Sequence, residues 1–149
     1  MPASLVSDRK PIIVGHRGAK GLAPENTMPA FQIAADLRID GVEFDVQRTR
    51  DGQLIVFHDE NVKRVTGVEG MVEAMTLDEI KALDAGSSFG AEFAGERIPT
   101  LREVLDFLRQ TDLLLFIELK DPWRYAGMEA SIIALLREFD LVERTQIRS

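Results

Sequence analysis

Polar residues that interrupt apolar segments occur in pairs along this 149-residue sequence. Each pair lies where a predicted strand ends, which in parallel α/β proteins is the edge of the sheet that binds ligands. Side chains two positions apart on a strand share a face, so residues so spaced point the same way. The pairs are His16 with Arg17, Glu43 with Asp45, His58 with Asp59, and Glu118 with Lys120.

Three of these residues, Glu43, Asp45 and Glu118, are carboxylates that such a sheet would bring together. Their mutual repulsion would cost stability, and a divalent cation would remove it. All-oxygen ligation favours Mg²⁺, Ca²⁺ or Mn²⁺ over Zn²⁺. For Glu43 and Asp45 alone, a solvated strand face is the alternative. Glu118 favours a functional site, because it closes the apolar run LLLFI, where a solvated edge is hard to explain.

The histidines and basic residues supply the other groups that cleavage of a phosphate ester requires. Imidazole titrates near neutral pH, so His16 and His58 could divide the roles of general acid and base. A core histidine bonded to backbone groups is the alternative for each. Arg17 could bind phosphate oxygens through two hydrogen bonds, or could pair with a nearby carboxylate. For Lys120 the alternative is a salt bridge to Glu118.

The residues that follow His16 are expected to shape the backbone and to start the next helix. Gly18 would let the backbone approach a ligand closely. In the segment PENT, residues 24–27, Asn26 or Thr27 would cap the next helix and Glu25 would suit its positive end. We therefore leave Glu25 outside the predicted site.

Strands and helices alternate along the chain, which predicts parallel βαβ units with right-handed crossovers. The dipeptide Asp51-Gly52 predicts a hairpin between two neighbouring strands. Capping boxes at Thr76 and Thr100 each predict the start of a helix. Residues 59–99 are rich in glycine and are predicted to form an inserted lobe. The remaining predicted strands cover residues 12–15, 42–49, 53–58, 113–120 and 145–149, and the remaining helices residues 28–38 and 125–139.

The bulk composition limits the class of protein. With 45% apolar residues the chain can bury a core, and it contains no cysteine for disulfides or thiolate metal sites. The net charge of −7 disfavours binding to nucleic acid and to anionic membranes. The N-terminus lacks a secretory apolar segment, and no run is long enough to span a bilayer. We expect a soluble cytoplasmic protein without stable membrane insertion.

The motifs GHRG, PENT, VEFDV, VFHD, IPTLREVLDFL and IELK, in this order and spacing, resemble the glycerophosphodiester phosphodiesterase family. The resemblance extends from about Ile12 to the C-terminus. It implies a TIM (βα)8 barrel with a small insertion at residues 59–99. It also implies hydrolysis of glycerophosphodiesters to glycerol 3-phosphate and an alcohol such as choline or ethanolamine.

The same resemblance implies a two-step route, in which a glycerol hydroxyl attacks first and water then opens a cyclic phosphate. One histidine would deprotonate the hydroxyl and the other would protonate the leaving alcohol, with the order left open. Carried over by motif, the metal ligands are Glu43, Asp45 and Glu118, the acid and base are His16 and His58, and the phosphate contacts are Arg17 and Lys120.

A complete barrel needs about 250 residues, so this chain covers about the first half, as a single incomplete barrel domain over residues 1–149. A truncated chain, a second chain that supplies the rest, or self-association of two swapped halves would each account for this. Two other functions stay open. One is a non-catalytic binding module, and the other is a phospholipase-like relative that acts on intact lipids. The apolar residues of the insertion, Val65, Val68, Met71, Val72 and Met75, are instead expected to form a small core.

Overall fold

A parallel sheet forms the centre of the protein, in a computed structural model that describes residues 11–120 and 126–149. Its order is β1-β2-β4-β5, and every adjacent pair in that order is parallel. A short strand, β3, pairs with the end of β2 in the antiparallel sense. The strands are β1 (Val14–His16), β2 (Gly41–Arg48), β3 (Leu54–Val56), β4 (Leu114–Leu119) and β5 (Thr145–Arg148).

Helices follow the strands as the sequence predicts. Thr76 and Thr100 both form complete capping boxes, with Glu79 and Glu103 as their partners. The last predicted helix begins at Met128, and Tyr125 lies outside the described residues. The helices are α1 (Met28–Asp36), α2 (Lys63–Thr66), α3 (Leu77–Lys81), α4 (Leu101–Leu108) and α5 (Met128–Glu138).

The hairpin predicted at Asp51-Gly52 is confirmed. It joins β2 to β3, and Gly52 has a φ of 82°, which an L side chain adopts only with strain. Val46 pairs with Val56 on one edge of β2 and with Leu119 on the other. Strand β3 therefore lies beyond the end of β1, on the same edge of β2.

Strand β1 starts two residues later than predicted, because its pairing with β2 starts at Val14 opposite Gly41. Ile12 and Ile13 precede it and are exposed, at 54% and 63%. Asp40 holds this segment, since its carboxylate accepts a hydrogen bond from the Ile13 amide at 2.6 Å. His16 is consequently the last residue of the strand and not the first residue after it.

Strand β2 is buried on both faces, unlike a strand at a solvated surface. Val42, Phe44 and Val46 belong to the main core, where the rings of Phe31 and Phe44 meet edge to face at 5.5 Å. The opposite face of the strand carries the polar residues Glu43, Asp45 and Gln47, all of them buried. Core packing on one face thus fixes the position of the polar groups on the other.

A second hydrophobic cluster joins the region predicted to be an inserted lobe to Ile55 and Phe57, which precede that region. Val65 and Val72 are buried in it and Met75 packs against it, as expected. Val68 is 48% exposed, so its assignment to this core was wrong. Helices α2 and α3, with four and five residues, are too short to form the interfacial helix that a lipid-facing rim would need.

Within residues 11–120 and 126–149, none of the helices has the length and apolar character needed to cross a membrane.

Candidate active site

The register of the strands aligns the polar residues in neighbouring rows on one face of the sheet. His16 pairs with Glu43 across β1 and β2. Asp45 pairs with Glu118 across β2 and β4, and Glu118 pairs with Arg148 across β4 and β5. Since partners in a parallel sheet share a face, these side chains meet at the carboxyl ends of the strands, as predicted.

The three predicted carboxylates form one cluster. Glu43, Asp45 and Glu118 each place an oxygen so that all three atoms lie within 4.8 Å of one another. Glu43 and Asp45 are only 3% and 1% exposed, so a solvated strand face was the wrong alternative for them. Carboxylates this deeply buried require compensating charge.

Three basic side chains provide that charge. Lys120 lies 2.5 Å from Glu118 and 3.1 Å from Asp45, and Arg17 Nε lies 3.4 Å from Asp45. Arg148 lies 3.1 Å from Glu43 and 3.8 Å from Glu118. Burial lowers the pKa of Lys120, but the hydrogen bond to Glu118 and the charge of Asp45 outweigh it and leave the pKa raised. The ammonium is therefore charged at neutral pH.

The donor set suits an oxygen-binding cation. Asp45 Oδ1 accepts no hydrogen bond from any described residue, because Lys120 approaches it outside hydrogen-bonding geometry. The other oxygen of Asp45 is held by Asn26, whose amide donates to it at 2.9 Å. A buried carboxylate with one anchored and one available oxygen is oriented as a metal ligand would be.

The two histidines occupy different surroundings, and neither is a core residue. The His16 side chain is 51% exposed, with Nε2 3.7 Å from Glu43 Oε2. The His58 side chain is 32% exposed, and its Nδ1 lies 2.6 Å from Asp59 Oδ1. The hydrogen bond from Arg64 lowers the pKa of Asp59 to about 2, so this carboxylate is ionised and can only accept. His58 therefore carries its proton on Nδ1 and leaves Nε2 available.

A chain of alternating charges connects His58 to the acidic cluster. Arg64, on α2, donates to Asp59 at 2.6 Å and to Glu25 at 2.6 Å. Glu25 in turn accepts a hydrogen bond from Arg17 at 2.8 Å. Burial raises the pKa of Glu25, but the hydrogen bonds from Arg64 and Arg17 outweigh it and leave the pKa lowered. The structure thus places Glu25 between Arg64 and the predicted site residue Arg17, whereas the sequence analysis left it outside the site.

The segment PENT positions site residues more than it caps α1. Thr27 occupies the N-cap position but makes no capping hydrogen bond, and its hydroxyl donates to the Pro24 carbonyl at 2.6 Å. Asn26, the other predicted cap, instead supports Asp45. Its left-handed φ of 56° is a conformation that asparagine tolerates.

Gln47 anchors the residues around His58. It continues the series of alternate polar positions after Glu43 and Asp45, and it is 3% exposed. Its amide nitrogen donates to the carbonyl oxygens of Phe57 and Asp59, at 3.1 and 2.7 Å. The backbone on both sides of His58 is therefore fixed from β2. The period of two along β2 was the signal that could have identified Gln47.

The loop after β1 is built by unusual backbone angles. Arg17 has a φ of 53°, and its amide donates to the Glu43 carboxylate at 3.2 Å. Gly18 has a φ of 76°, and a side chain there would lie 2.9 Å from Ala30 on α1. The glycine is therefore required by the turn and by packing against the helix.

A cavity of about 320 Å³ opens on this face of the sheet. Its polar lining consists of His16, Glu43 and Arg148, and its apolar lining includes Val14 and Phe116. A general acid or base, a carboxylate of the cluster and a guanidinium thus surround one space. This combination can bind an anion and move a proton at it.

Comparison with known proteins identifies the family. The sequence model of the glycerophosphoryl diester phosphodiesterase family matches residues 16–146 of this chain. The chain belongs to this family. The matched segment contains all of the predicted site residues, from His16 to Lys120.

Relatives within the family cover nearly the whole chain. A glycerophosphodiester phosphodiesterase of Caldanaerobacter subterraneus subsp. tengcongensis is 48% identical over 94% of this chain and 58% of its own length. A glycerophosphodiester phosphodiesterase of Bacillus altitudinis is 42% identical over 92% of this chain and 57% of its own length. This chain spans less than two thirds of the length of these family members.

Solved structures of the family share the fold. A glycerophosphodiester phosphodiesterase from Agrobacterium tumefaciens matches with a TM-score of 0.85 and 39% identity, over 94% of this chain and 58% of that one. A phosphodiesterase from Oleispira antarctica, in complex with the product sn-glycerol-3-phosphate, matches with a TM-score of 0.84 and 34% identity, over 92% and 56%. The four parallel strands are thus about half of the family's TIM barrel, which confirms the predicted fold class.

Proposed function

We propose that this chain carries the catalytic centre of a glycerophosphodiester phosphodiesterase, which releases glycerol 3-phosphate and an alcohol from glycerophosphodiesters. The observation that carries the proposal is the cluster of buried Glu43 and Asp45 with half-buried Glu118, with His16 and Arg17 at its border. The product in the related Oleispira structure, sn-glycerol-3-phosphate, supports this class of substrate.

Glu43, Asp45 and Glu118 would together hold one divalent cation. Three carboxylates favour Mg²⁺ or Ca²⁺, with Mn²⁺ as a third candidate. When bound, such a cation supplies Lewis-acid neutralisation of the charge that builds on the phosphoryl oxygens. The carboxylate orientation supports this assignment, because Asn26 fixes one oxygen of Asp45 and leaves the other available.

Arg17 and Lys120 would bind the non-bridging phosphate oxygens. Arg17 offers a planar group of donors that matches phosphate geometry, and Lys120 adds a point charge. In this structure both side chains form ion pairs with nearby carboxylates, which was the alternative considered for each from the sequence. Those ion pairs hold the guanidinium of Arg17 and the ammonium of Lys120 next to the space that a phosphate would occupy.

His16 and His58 would move the protons. The neighbouring glycerol hydroxyl attacks phosphorus as one imidazole takes its proton, and the other imidazole protonates the oxygen of the leaving alcohol. A cyclic phosphate results, and the roles reverse when water opens it. The hydrogen bond between His58 Nδ1 and ionised Asp59 supports this, since it holds the ring with Nε2 on the side away from the carboxylate.

Phosphorus NMR tests the proposal. The full chain, with MgCl₂, is incubated with glycerophosphocholine and followed by ³¹P spectra. We expect the phosphodiester signal to be replaced by that of glycerol 3-phosphate, with a transient cyclic phosphodiester if the two-step route holds. An unchanged substrate signal in the presence of Mg²⁺ or Ca²⁺ would contradict the proposed activity.

A further inference from the structure

Arg148 lies at the end of β5 with its guanidinium at the acidic cluster. Its register partner is Glu118, and its Nη2 lies 3.1 Å from Glu43 Oε1. The same nitrogen lies 3.8 Å from Glu118 Oε2. Arg148 is therefore a third cation at the cluster, besides Arg17 and Lys120.

Exposure distinguishes Arg148 from the other two cations. Its side chain is 52% exposed, whereas those of Arg17 and Lys120 are 13% and 20% exposed. Its partner Glu43 is buried, so loss of the pair would leave that carboxylate without compensating charge unless a bound cation replaced the guanidinium. Arg148 can consequently exchange Glu43 for another partner once a divalent cation neutralises that carboxylate.

The balance of charge at the cluster indicates when Arg148 would exchange Glu43 for another partner. Glu43, Asp45 and Glu118 carry three negative charges, and the three basic side chains balance them. A divalent cation held by the carboxylates would leave an excess of positive charge at the cluster. That excess would attract an anionic phosphate ester, and neutralisation of Glu43 by the cation would free the guanidinium from it.

The cavity beside the cluster provides the space for the phosphate. Arg148 and His16 both line it, together with Glu43. Its volume of about 320 Å³ equals that of roughly ten water molecules, which is enough for a small phosphate ester. A guanidinium can donate two parallel hydrogen bonds to two phosphate oxygens.

We propose that Arg148 is a phosphate-binding residue of this site, which pairs with Glu43 until a cation and a phosphate ester occupy the site. The inference rests on the proposed function, because it assumes that the acidic cluster holds a cation. It adds a contact from β5 to those expected from Arg17 and Lys120.

Calorimetric titration of the full chain with sn-glycerol 3-phosphate in MgCl₂ tests the inference, alongside separate titrations with Mg²⁺ alone. The variants are Arg148→Met, which removes the charge and keeps an unbranched side chain, and Arg148→Lys, which keeps the charge. Arg137→Met is the matched control, because Arg137 is an exposed arginine on α5. Circular dichroism establishes that each variant is folded.

We expect Arg148→Met to weaken binding of glycerol 3-phosphate by about tenfold or more, and Arg148→Lys to weaken it less. Binding of Mg²⁺ to Arg148→Met should be unchanged or tighter, since a competing cation is removed. Unchanged affinity of Arg148→Met for glycerol 3-phosphate would overturn this inference alone. Wild-type protein that binds neither Mg²⁺ nor glycerol 3-phosphate would overturn the proposed function as well.

Discussion

Substitution of His16 should change the activity of the site without changing the stability of the fold. Its side chain is half exposed and belongs to neither hydrophobic cluster. We expect His16→Ala to abolish hydrolysis of glycerophosphocholine and to change the free energy of unfolding by no more than about 0.5 kcal/mol. Activity assays and urea unfolding of the same preparation measure both. A loss of several kcal/mol in stability would indicate a structural histidine instead.

Glu118 provides the corresponding test of the cation site. Glu118→Gln keeps the shape of the side chain and removes one of three negative charges, so it should weaken binding of Mg²⁺ or Ca²⁺ by at least about tenfold, or about 1.4 kcal/mol. Isothermal titration calorimetry measures the change. Glu129→Gln, at an exposed position on α5, makes the same charge change away from the cluster. Equal dissociation constants for the two variants would refute the ligand set.

Arg64 should stabilise the protein in a pH-dependent way. Because it lowers the pKa of Asp59 from 3.8 to about 2, its contribution is complete above about pH 4 and is lost as the pH falls through 2. Arg64→Gln should cost roughly 1–2 kcal/mol at pH 7, and less at about pH 3. Urea unfolding at the two pH values measures this difference.

The neighbouring residue on α2 serves as the control for Arg64. Lys63 pairs with Glu69 at 2.7 Å, but both side chains are 65% exposed, so Lys63→Gln should cost only a few tenths of a kcal/mol at either pH. Equal losses for Lys63→Gln and Arg64→Gln would show that the chain of charges from Asp59 to Glu25 contributes nothing specific.

The individual residues of the site could be predicted only where their strand could be predicted. Glu43, Asp45 and Glu118 interrupt apolar strands, so strand periodicity was enough to align them. Arg148 also lies on a predicted strand but has no such contrast, because the segment ERTQIRS that contains it is mostly polar. Arg64 and Glu25 meet across 39 positions of sequence through the fold of the loops, which periodicity does not describe.

At the scale of the elements, the turn between β1 and α1 should be sensitive to substitution. Gly18→Ala would place a methyl group 2.9 Å from the Ala30 backbone at a φ of 76°, and we expect it to cost roughly 2–4 kcal/mol. Gly21→Ala, in the same loop, meets no described atom within 4 Å and should be nearly neutral. Thermal unfolding compares the two. A stable Gly18→Ala protein would show that this turn can rearrange.

The two helix starts at capping boxes and the hairpin were predicted more accurately than the start of β1. Capping boxes and Asp51-Gly52 act through neighbouring residues, so the local sequence determines them. The start of β1 depends on where β2 pairs with it and on the bond from Ile13 to Asp40, 27 residues away. Long-range pairing therefore moved the strand by two residues.

On the molecule as a whole, three basic side chains lie where the substrate would bind. The net charge is −7, yet Arg17, Lys120 and Arg148 all lie at the carboxyl edge of the sheet. Without a cation these three groups only balance the carboxylates. An anionic phosphodiester would therefore bind well only when a divalent cation is present.

The division of the protein and its assembly stay predictions. Among the described residues, β1 and β5 each pair with one neighbouring strand, so the sheet has two open edges. The family's barrel closes such edges with further strands. The sequence predicts that residues 59–99 form an inserted lobe. It also predicts self-association of the chain as one way to complete the barrel.

The most direct test of the proposed site is the rate of glycerol 3-phosphate release from glycerophosphocholine. This rate is measured with Mg²⁺ or Ca²⁺, after chelation, and after the cation is restored. We predict turnover that the chelator abolishes and that added cation restores, together with loss of turnover in Glu43→Gln. Turnover that is unaffected by the chelator, or the absence of turnover with saturating cation, would contradict it.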